Sequence, residues 1–474
     1  MPVSRRVKLV CTLGPKSSTP RLVRALAEMG GEVFRINFSH GTPMDHAKYV
    51  EVVRKVETEI DRELAVLADL PGPKIRLGGL DGEPVRLMAG GRFALRGRPG
   101  PGDATGAGTT YPPLARDLRK GDRVLLADGA VELVVREVDD VDVVTEVVRG
   151  GSIRSRAGLN VPAERLSVPA ITDRDREGLA HALDLGADLV AQSFVRTGAD
   201  VRELRELMGD RPVPVVAKVE TRPAVEDFDA VLAEADAVMV ARGDLGVELP
   251  LEEIPLLQKE LLVRARAVGK AAVVATQMLE SMIRAARPTR AEASDVANAV
   301  LDGADAIMLS GETAIGAYPV EAVRMAARIA AAAEERAGAF RVSAAPHREA
   351  DEAAAVAHAA AEVAGENPDV VAIACFTRTG RTAALLSAER PAVPIYAFIP
   401  DGRIRRALCV RWGVTSLPAG DPQDTDEMIA LMDQGLRAAG LAEAGTAVVM
   451  VASSPAGKVS TNMLKVHRIG EPVR

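Results

Sequence analysis

The chain has 474 residues, of which 47% are hydrophobic and 26% charged, and its formal net charge is −7. This is the composition of a globular protein able to bury a sizeable core, and the length suggests about three domains. The negative charge and an aromatic content of only 3% argue against a nucleic-acid-binding surface.

The amino terminus and the cysteines indicate a cytoplasmic protein. Residues Met1–Gly14 lack the apolar run of a signal peptide, and no run in the chain approaches membrane-spanning length. The cysteines, Cys11, Cys375 and Cys409, are far apart and show no CxxC spacing. We therefore expect reduced, buried thiols and no disulfides.

Eight short apolar runs read as buried parallel strands. They are Val7–Leu13, Glu32–Ser39, Ala65–Leu70, Leu189–Phe194, Val213–Glu220, Ala237–Gly243, Ala271–Gln277 and Asp305–Glu312. Helix-patterned segments lie between them, for example Arg21–Glu28, Asp173–Leu185, Glu252–Val268, Arg290–Leu301 and Pro319–Ala337. This alternation predicts an α/β protein with a (β/α)₈ TIM barrel over residues 1–70 and 168–340. A doubly wound sheet is the alternative, although it rarely needs eight such units.

Residues 71–167 interrupt this rhythm with short β-like runs and many glycines and prolines. The clearest runs are Arg123–Leu126, Val131–Val138 and Val143–Val148. We expect a small inserted all-β domain of the β-barrel type. An insertion after the third barrel strand emerges from the catalytic face, where it can act as a lid that excludes water. The alternative is a passive decoration.

Residues 341–474 predict a third domain, an α/β domain with an effector site, after a linker at Val342–His347. Its predicted elements are helix Asp351–Ala364, strand Val370–Phe376, helix Arg381–Ala388, strand Pro394–Phe398, helix Thr425–Ala439, and strands Thr446–Val451 and Met463–Ile469.

A loop in this domain has the composition of a phosphate site. It consists of Thr377, Arg378, Thr379, Gly380, Arg381 and Thr382. Hydroxyls, a glycine and arginines at the amino end of a helix are typical of phosphate binding. Since the loop is remote from the other candidate residues, we interpret it as a site for a phosphorylated allosteric effector. A plain helix cap is the alternative.

Two acidic residues end consecutive predicted strands, Glu220 after the fifth and Asp244 after the sixth. The carboxyl ends of barrel strands face one opening, so these carboxylates should lie close together. Oxygen ligands suit Mg²⁺ or Mn²⁺. Strand alternation directs Lys218 to the same side as Glu220. A dication beside a lysine can stabilise a developing oxyanion or a phosphoryl group. Ordinary loop charges are the alternative.

Further polar residues follow the second and third strands. Arg35, Asn37 and Ser39 alternate with apolar neighbours and should point one way. Arginine matches phosphate or carboxylate oxygens. Asn37 and Ser39 supply oxygen ligands of the type that would hold a hard monovalent cation, and Asp69 adds a negative charge nearby.

The entry to the inserted domain and the last two barrel strands supply the remaining candidates. Lys74 and Arg76 stand on a stiff proline-containing entry and can reach an anionic nucleotide or an acidic substrate. Thr276 and Ser310 place hydroxyls where they can hold a carboxylate or pass a proton through water. Thr289 followed by Glu292 predicts a helix capping box.

Several strings in the chain resemble those of pyruvate kinases over almost the full length. They are Cys11-Thr-Leu-Gly-Pro, Arg35-Ile-Asn-Phe-Ser-His-Gly, Gly72-Pro-Lys-Ile-Arg, Ser193-Phe-Val-Arg, Lys218-Val-Glu, Met239-Val-Ala-Arg-Gly-Asp-Leu-Gly-Val-Glu, Thr276-Gln-Met-Leu-Glu-Ser-Met, Pro288-Thr-Arg-Ala-Glu-Ala-Ser-Asp-Val-Ala-Asn and Leu309-Ser-Gly-Glu-Thr. The resemblance implies a barrel, a β lid, a carboxyl-terminal regulatory domain and usually a homotetramer. It also implies transfer of the phosphoryl group of phosphoenolpyruvate to ADP in glycolysis.

The resemblance assigns roles by motif. Glu220 and Asp244 would hold Mg²⁺, and Lys218 would neutralise the transferred phosphoryl group and the enolate. Arg35 would bind the phosphate and Arg76 the nucleotide. The backbone at Gly243 and Asp244, with Thr276, would hold the substrate carboxylate. Thr276 and Ser310 would relay the proton that converts the enolate to pyruvate.

The resemblance also implies a K⁺ pocket at Asn37, Ser39, Asp69 and Leu70. The chain departs from the family pattern near this pocket and in the nucleotide site. Potassium-requiring members resemble one another in having Glu where this chain has Lys74, so we expect activity without K⁺. Ala157 stands where the family usually has a lysine that contacts the nucleotide, and Arg154 or Arg156 can substitute. In the inserted domain, the family normally has two acidic residues before a glycine, whereas this chain has Ala127 and Asp128 there. We therefore expect weakened ADP affinity.

Two other functions are compatible with parts of the pattern. One is a Mg²⁺-dependent barrel enzyme acting on a 2-oxo acid, but such enzymes lack the lid and the third domain. The other is a non-catalytic sensor of phosphorylated metabolites, which Ala157 favours and intact Lys218, Glu220 and Asp244 disfavour.

Overall fold

A computed structural model describes residues 5–127, 129–336, 351–453 and 460–472. The predicted linker Val342–His347 and Asp128 lie outside the described residues. Among the described residues, no helix combines the length and the apolar composition needed to cross a membrane. Cys11 and Cys375 are buried and Cys409 is partly buried, all as free thiols.

The chain begins with three strand–helix units of the barrel. These are β1 (Lys8–Thr12), α1 (Pro20–Glu28), β2 (Gly31–Asn37), α2 (Pro43–Ile60) and β3 (Ala65–Asp69). Thr42 begins α2 with a capping box, in which its hydroxyl accepts from the Asp45 N–H and the Asp45 carboxylate accepts from the Thr42 N–H.

The regular elements among the described residues of the inserted segment are mostly β-strands, with one short α-helix and a 3₁₀ helix at Ala163–Arg165. Its elements are β4 (Val85–Leu87), β5 (Arg92–Arg96), β6 (Gly106–Gly108), α3 (Leu114–Asp117), β7 (Arg123–Leu126), β8 (Val131–Val138), β9 (Asp142–Arg149), β10 (Gly151–Ile153) and β11 (Leu159–Asn160). Six strands form a sheet in the order β11-β7-β8-β9-β5-β6, and β10 pairs with β4. Alternate apolar residues of both sheets share one buried cluster, so this domain has its own core.

The remaining barrel units follow the insertion. The strands are β12 (Leu189–Gln192), β13 (Val215–Val219), β14 (Ala237–Ala241), β15 (Ala271–Ala275) and β16 (Ala306–Leu309). The helices are α4 (Asp173–Asp184), α5 (Gly198–Met208), α6 (Arg222–Glu226), α7 (Phe228–Glu234), α8 (Arg242–Glu248), α9 (Ile254–Ala267), α10 (Arg290–Leu301), α11 (Gly311–Ala314) and α12 (Pro319–Arg336). Thr289 and Glu292 form the predicted capping box of α10.

Eight parallel strands close into a barrel in the order β1-β16-β15-β14-β13-β12-β3-β2. The predicted TIM barrel is confirmed, and the closed sheet excludes the doubly wound alternative. The predicted strands run too far at their carboxyl ends. The strand predicted to reach Gly243 ends at Ala241 because α8 begins at Arg242. The strand predicted to reach Gln277 ends at Ala275 because Thr276 and Gln277 have positive φ angles, of 70° and 54°.

Strand alternation explains which side chains reach the barrel mouth. Val33, Leu67 and Val216 belong to the cluster that fills the barrel interior. Two residues further along the same strands come Arg35, Asp69 and Lys218, which therefore share that inward face. Neighbouring residues of opposite parity, such as Phe34 and Ala217, pack against the outer helices instead.

The carboxyl-terminal domain is a five-stranded sheet in the order β19-β18-β17-β20-β21, with only β21 antiparallel to its neighbour. Its elements are α13 (Glu352–Glu366), β17 (Val370–Phe376), α14 (Arg381–Glu389), β18 (Ile395–Ile399), α15 (Gly402–Ala407), β19 (Val414–Pro418), α16 (Thr425–Ala438), β20 (Ala447–Ala452) and β21 (Met463–Arg468). Apolar clusters cover both faces of the sheet, as the predicted α/β domain requires.

A buried tryptophan joins this domain to the amino-terminal side of the barrel. The Trp412 ring lies between two guanidinium groups, with the Arg6 carbon 5.3 Å and the Arg390 carbon 4.8 Å from the ring centroid. Its Nε1–H donates to Glu334 over 2.9 Å, and that carboxylate also accepts from the backbone N–H groups of Arg6 and Val7. Cation–π contacts and charged hydrogen bonds therefore fix this joint.

We propose residues 1–70 with 168–340, 71–167 and 341–474 as the limits of the three domains.

Candidate active site

The inward-facing charges at the barrel mouth form one buried network. Arg35 Nε donates to Asp69 Oδ2 over 2.6 Å, and its Nη1 donates to the Thr12 hydroxyl over 3.1 Å. Lys218 Nζ donates to the Ser193 hydroxyl over 2.6 Å and lies 3.4 Å from Asp69 Oδ1. Asp69 therefore bridges the two cations and holds them beside each other.

The carboxylates around Lys218 keep it charged. Burial acts to lower the pKa of Lys218, but Asp69, Glu220 and Asp244 outweigh burial and raise its pKa above the usual value. The pKa of Asp69 is lowered: burial opposes this, and Lys218 and Arg35 overcome it. Both groups are thus ionised at neutral pH, and the ammonium is a fixed positive charge.

Glu220 has one oxygen satisfied and one left without a hydrogen bond. Its Oε1 accepts from the Phe194 N–H over 2.7 Å. Its Oε2 lies 3.2 Å from Lys218 Nζ, but this is an ion-pair contact, and no hydrogen-bond donor is aligned with this buried oxygen. Burial and the nearby Asp244 raise the pKa of Glu220, while Lys218 opposes them. A buried oxygen lacking a donor, beside a second carboxylate, is what a cation site requires.

Asp244 and Glu220 line the same cleft between the barrel and the inserted domain. The cleft has a volume of about 710 Å³. Asp244 is exposed to solvent and lies in the first turn of α8, three residues after the end of β14. Within the described residues, no group of three or more His, Cys, Asp and Glu gathers as a metal site. Two carboxylates suit Mg²⁺, which usually takes its other ligands from substrate and water.

Thr276 ties the start of α8 to the end of β15. Its hydroxyl accepts from the Gly243 N–H over 2.7 Å and donates to the Ala275 carbonyl over 2.6 Å. Arg242 donates to the Thr276 carbonyl and forms a two-pronged ion pair with Asp295 at 2.6 and 2.7 Å. These bonds hold Thr276 at its positive φ and fix the first turn that carries Asp244.

Ser310 is the predicted site residue that the structure does not join to the others. Its backbone N–H donates to Glu312 over 2.7 Å. Of the hydrogen bonds between described residues, none connects Ser310 with Thr276. Its place after β16 keeps it at the barrel mouth, so its predicted role in a proton relay stays a prediction.

Most oxygens of the candidate pocket for K⁺ accept hydrogen bonds within the chain. Asn37 Oδ1 accepts from the Ser39 N–H over 3.0 Å. The Leu70 carbonyl accepts from the Ser193 hydroxyl over 2.7 Å, and Asp69 serves Arg35 and Lys218. Lys74 adds a further positive charge that acts on Asp69. Three positive side chains therefore act on Asp69, which disfavours an additional cation beside it.

The cleft is positive on its inserted-domain side. Lys74, Arg76, Arg154 and Arg156 line it, with Ala157 between them and the lid core. Arg76 Nη1 donates to the Arg156 carbonyl over 3.1 Å. The cleft thus combines acids at the barrel mouth with cations on the lid, an arrangement suited to a metal-bound polyphosphate.

Two family models match the chain. The model described as the pyruvate kinase barrel domain matches residues 4–323, and the model described as the pyruvate kinase alpha/beta domain matches residues 354–467. The chain belongs to the pyruvate kinase family.

Curated relatives and solved structures are similar along the whole chain. A pyruvate kinase from Mycobacterium tuberculosis is 46% identical over 483 residues, covering 99% of each chain. One from Corynebacterium glutamicum is 42% identical over 100% of this chain and 99% of the relative. A crystal structure of a pyruvate kinase from Cryptosporidium parvum has a TM-score of 0.89 at 33% identity and covers 98% of this chain and 96% of that one. This pyruvate kinase is therefore a phosphotransferase, and the lid-less barrel enzyme is excluded.

The loop predicted to bind an effector has its arginines in ion pairs. Arg378 pairs with Asp421 at 2.6 Å, and Arg381 pairs with Asp351. Gly380 caps α14 at a φ of 82°, and its N–H donates to the Thr377 hydroxyl over 3.0 Å. The loop thus acts as a helix cap in this state, and phosphate binding would require the arginines to exchange carboxylates for phosphate.

Ser193 and the Arg242–Asp295 pair are site residues that our sequence reasoning did not single out. Ser193 accepts from Lys218 and donates to the Leu70 carbonyl, so it links two strands at the mouth. Ser193 could have been predicted, because it lies one residue beyond the carboxyl end of β12 and the other site residues lie at or just after the carboxyl ends of barrel strands. Asp295 carried no such signal, because it lies on a helix.

Proposed function

We propose that the cleft between the barrel and the inserted domain transfers the phosphoryl group of phosphoenolpyruvate to ADP, giving pyruvate and ATP. The observation that carries this proposal is the buried ammonium of Lys218 beside a carboxylate oxygen of Glu220 that lacks a hydrogen-bond donor. Phosphoryl transfer depends mainly on positioning and on charge neutralisation, and both are supplied here.

Glu220 and Asp244 are the residues that would hold Mg²⁺. When bound, the dication supplies positive charge to the oxygens of the phosphate and of the enolate. The Lys218 ammonium would stabilise negative charge on the phosphoryl group during its transfer. It would also stabilise the charge on the enolate oxygen from which the phosphoryl group departs. Because Ser193 and Asp69 hold the ammonium in place, little reorganisation is needed during the reaction.

Arg35 and the start of α8 are suited to orient the substrate. Arg35 uses its Nε and Nη1 for Asp69 and Thr12, which leaves its second terminal nitrogen to bind the phosphate. The N–H groups in the first turn of α8 lack intrahelical partners, and the carboxylate of the substrate can accept from Gly243 and Asp244. Thr276, now bonded to the Gly243 N–H, would then turn its hydroxyl to the substrate, and with Ser310 it would relay the proton to the enolate.

A coupled assay for pyruvate tests the reaction. Phosphoenolpyruvate, Mg²⁺ and ADP should give pyruvate at a rate proportional to enzyme, and product should require ADP. If no ADP-dependent product forms at any concentration of phosphorylated effectors, a non-catalytic sensor is favoured.

We predict that K⁺ is not required, although the family generally uses it. Lys74 places a tethered positive charge near Asp69, and Asp69 already pairs with Arg35 and Lys218. The rate in Na⁺-only buffer should therefore stay within about twofold of the rate in K⁺, since a fixed charge can replace a mobile one. Lys74→Glu should create K⁺ dependence, with Lys74→Gln as the matched neutral control. A wild-type rate that collapses without K⁺ contradicts the prediction.

We predict that Ala157→Lys lowers the KM for ADP. Ala157 lines the cleft beside Arg154 and Arg156, so an ammonium there would face the bound diphosphate. One additional charged contact should lower this KM about fivefold, through a favourable charge-assisted bond. The KM for phosphoenolpyruvate should not change, and Ala157→Met controls for side-chain length. An unchanged KM for ADP would show that the alanine does not weaken nucleotide binding.

The loop from Thr377 to Thr382 is our candidate for a phosphorylated effector, and a homotetramer is the assembly we expect. Effector titrations of the wild type and of Arg381→Gln, with sedimentation at assay concentration, test both expectations. We also propose a cytoplasmic location.

A further inference from the structure

Two segments join the inserted domain to the barrel. The outgoing connector, residues 70–75, follows β3, and the return connector, residues 166–172, leads into α4. Asp175 lies in the first turn of α4 and is buried, with 2% of its surface exposed. It does not line the catalytic cleft, so it does not contact the substrates there. A buried carboxyl group needs hydrogen-bond donors around it, and the two connectors supply them.

Asp175 accepts hydrogen bonds from both connectors. Its Oδ1 accepts from the N–H of Gly72, 103 residues earlier in the chain, over 2.9 Å. Its Oδ2 accepts from the Thr172 N–H over 2.8 Å and from the Thr172 hydroxyl over 2.5 Å. The bonds to Thr172 belong to a helix capping box, whereas the bond to Gly72 does not. One buried carboxylate thus joins the two connectors, and charged acceptors make such bonds strong.

The outgoing connector also packs against the turn that follows β12. Gly72 has a positive φ of 64°, and a Cβ added to it would lie 3.0 Å from the Ser193 Cβ and 3.3 Å from the Phe194 Cβ. Only glycine allows this approach. The same turn holds two charged groups of the site, because Ser193 accepts from Lys218 and the Phe194 N–H donates to Glu220. The connector therefore has a fixed position relative to the barrel charges.

The outgoing connector continues into the cations of the catalytic cleft. Lys74 and Arg76 line this cleft, and the Lys74 N–H donates to the Gly72 carbonyl over 3.0 Å. Arg76 pairs through its backbone with Gly158 of the inserted domain. The position of Gly72 therefore determines where these cations stand relative to the barrel mouth.

We propose that Asp175 is a positioning residue for the nucleotide. By joining both connectors to α4, it sets the distance between the cations of the inserted domain and the substrate-binding residues of the barrel. The inference rests on the proposed function, which assigns ADP to those cations and phosphoenolpyruvate to the barrel. Loss of Asp175 should weaken ADP binding more than phosphoenolpyruvate binding, because the free enzyme then no longer holds its nucleotide-binding groups in place.

Asp175→Asn removes this junction with little change in side-chain volume. An amide accepts through one oxygen only, so either the Gly72 or the Thr172 N–H loses its acceptor. Thr172→Val is the matched control within the cluster, because it removes the capping hydroxyl while both N–H groups keep the carboxylate. Asp45→Asn is the remote control, since Asp45 forms the same capping box with Thr42 at the start of α2 and accepts from Thr42 rather than from a connector.

Steady-state pyruvate formation by the full-length enzyme with Mg²⁺ is the first test. We expect Asp175→Asn to raise the KM for ADP about fivefold and to leave the KM for phosphoenolpyruvate within about twofold of the wild type. Both controls should keep the wild-type KM for ADP. A purely structural role would lower the fraction of active enzyme, and so the apparent kcat, without changing either KM. That result, or an equal rise in Thr172→Val, overturns the proposal.

Hydrogen exchange tests the junction without turnover and so separates it from the proposed function. Amides in residues 70–76 and 166–172 should exchange faster in Asp175→Asn and at the wild-type rate in Asp45→Asn. Unchanged exchange in either connector means that Asp175 does not join them, and the proposal is wrong. A wild type that forms no pyruvate overturns the nucleotide role together with the proposed function, whereas the exchange result still decides the junction.

Asp175→Glu replaces Asp175→Asn if circular dichroism shows that the amide variant is not folded. Glutamate forms a capping box at the corresponding position of α10, so the helix start is retained. The longer side chain displaces the oxygen that faces Gly72, so the KM for ADP should rise in this variant as well. An unchanged KM for ADP, together with faster exchange in the connectors, contradicts the positioning role.

Discussion

Lys218→Met should lower kcat about a thousandfold, because it removes a fixed positive charge from the place where negative charge develops. Methionine nearly matches the length of the lysine side chain, so the packing on β13 is retained. The KM for phosphoenolpyruvate should change less, since Arg35 and a metal at Glu220 and Asp244 are proposed to bind the phosphate. Steady-state pyruvate formation at saturating substrates measures this effect.

Ser193→Ala is the matched control for Lys218→Met. Ser193 accepts from the ammonium over 2.6 Å and does not neutralise charge itself, so its loss should lower kcat only about tenfold. Removing Lys218 also leaves Glu220 without its cation, whereas Asp69 keeps its bond to Arg35. Mn²⁺ binding and thermal unfolding should therefore be measured together. A kcat for Lys218→Met within tenfold of the wild type, in a folded protein, would disprove the proposed role.

Glu220→Gln should weaken Mn²⁺ binding at least tenfold and lower kcat about a hundredfold. The amide retains an oxygen to accept from the Phe194 N–H, so the turn after β12 should survive. The change removes one of the two proposed carboxylate ligands and the charge that faces Lys218. Titration of the variant with Mn²⁺, followed by electron paramagnetic resonance, measures the affinity directly.

Glu253→Gln is the corresponding control. Glu253 is exposed at the start of α9 and does not line the catalytic cleft, so the same chemical change there should leave both quantities unaltered. Asp244→Asn should reproduce the weakened Mn²⁺ binding. Metal affinity that is equal in wild type and both cleft variants would place the metal elsewhere.

The barrel and the buried charges could be predicted from sequence because both depend on strand alternation. The apolar runs place Val33, Leu67 and Val216 inside the barrel, and a step of two residues carries Arg35, Asp69 and Lys218 to its mouth. This inference needs only the period of a strand.

The end of β14 could not be predicted in the same way. The run Ala237–Gly243 has no capping side chain before Arg242, and Gly243 disfavours a helix, so nothing local predicts that a helix begins there. The helix begins there because Arg242 pairs with Asp295, more than fifty residues later in the chain, and donates to the Thr276 carbonyl. Such long-range bonds decide element ends and escape local patterns.

The joint around Trp412 gives the enzyme an intrinsic fluorescent probe at one domain boundary. This is the single tryptophan of the chain, and its indole lies between Arg6 and Arg390 at the boundary of two domains. Indole emission depends on nearby charge and on water. Fluorescence of the unlabelled enzyme thus reports changes at this domain boundary without an engineered dye, whereas the inserted domain contains no tryptophan.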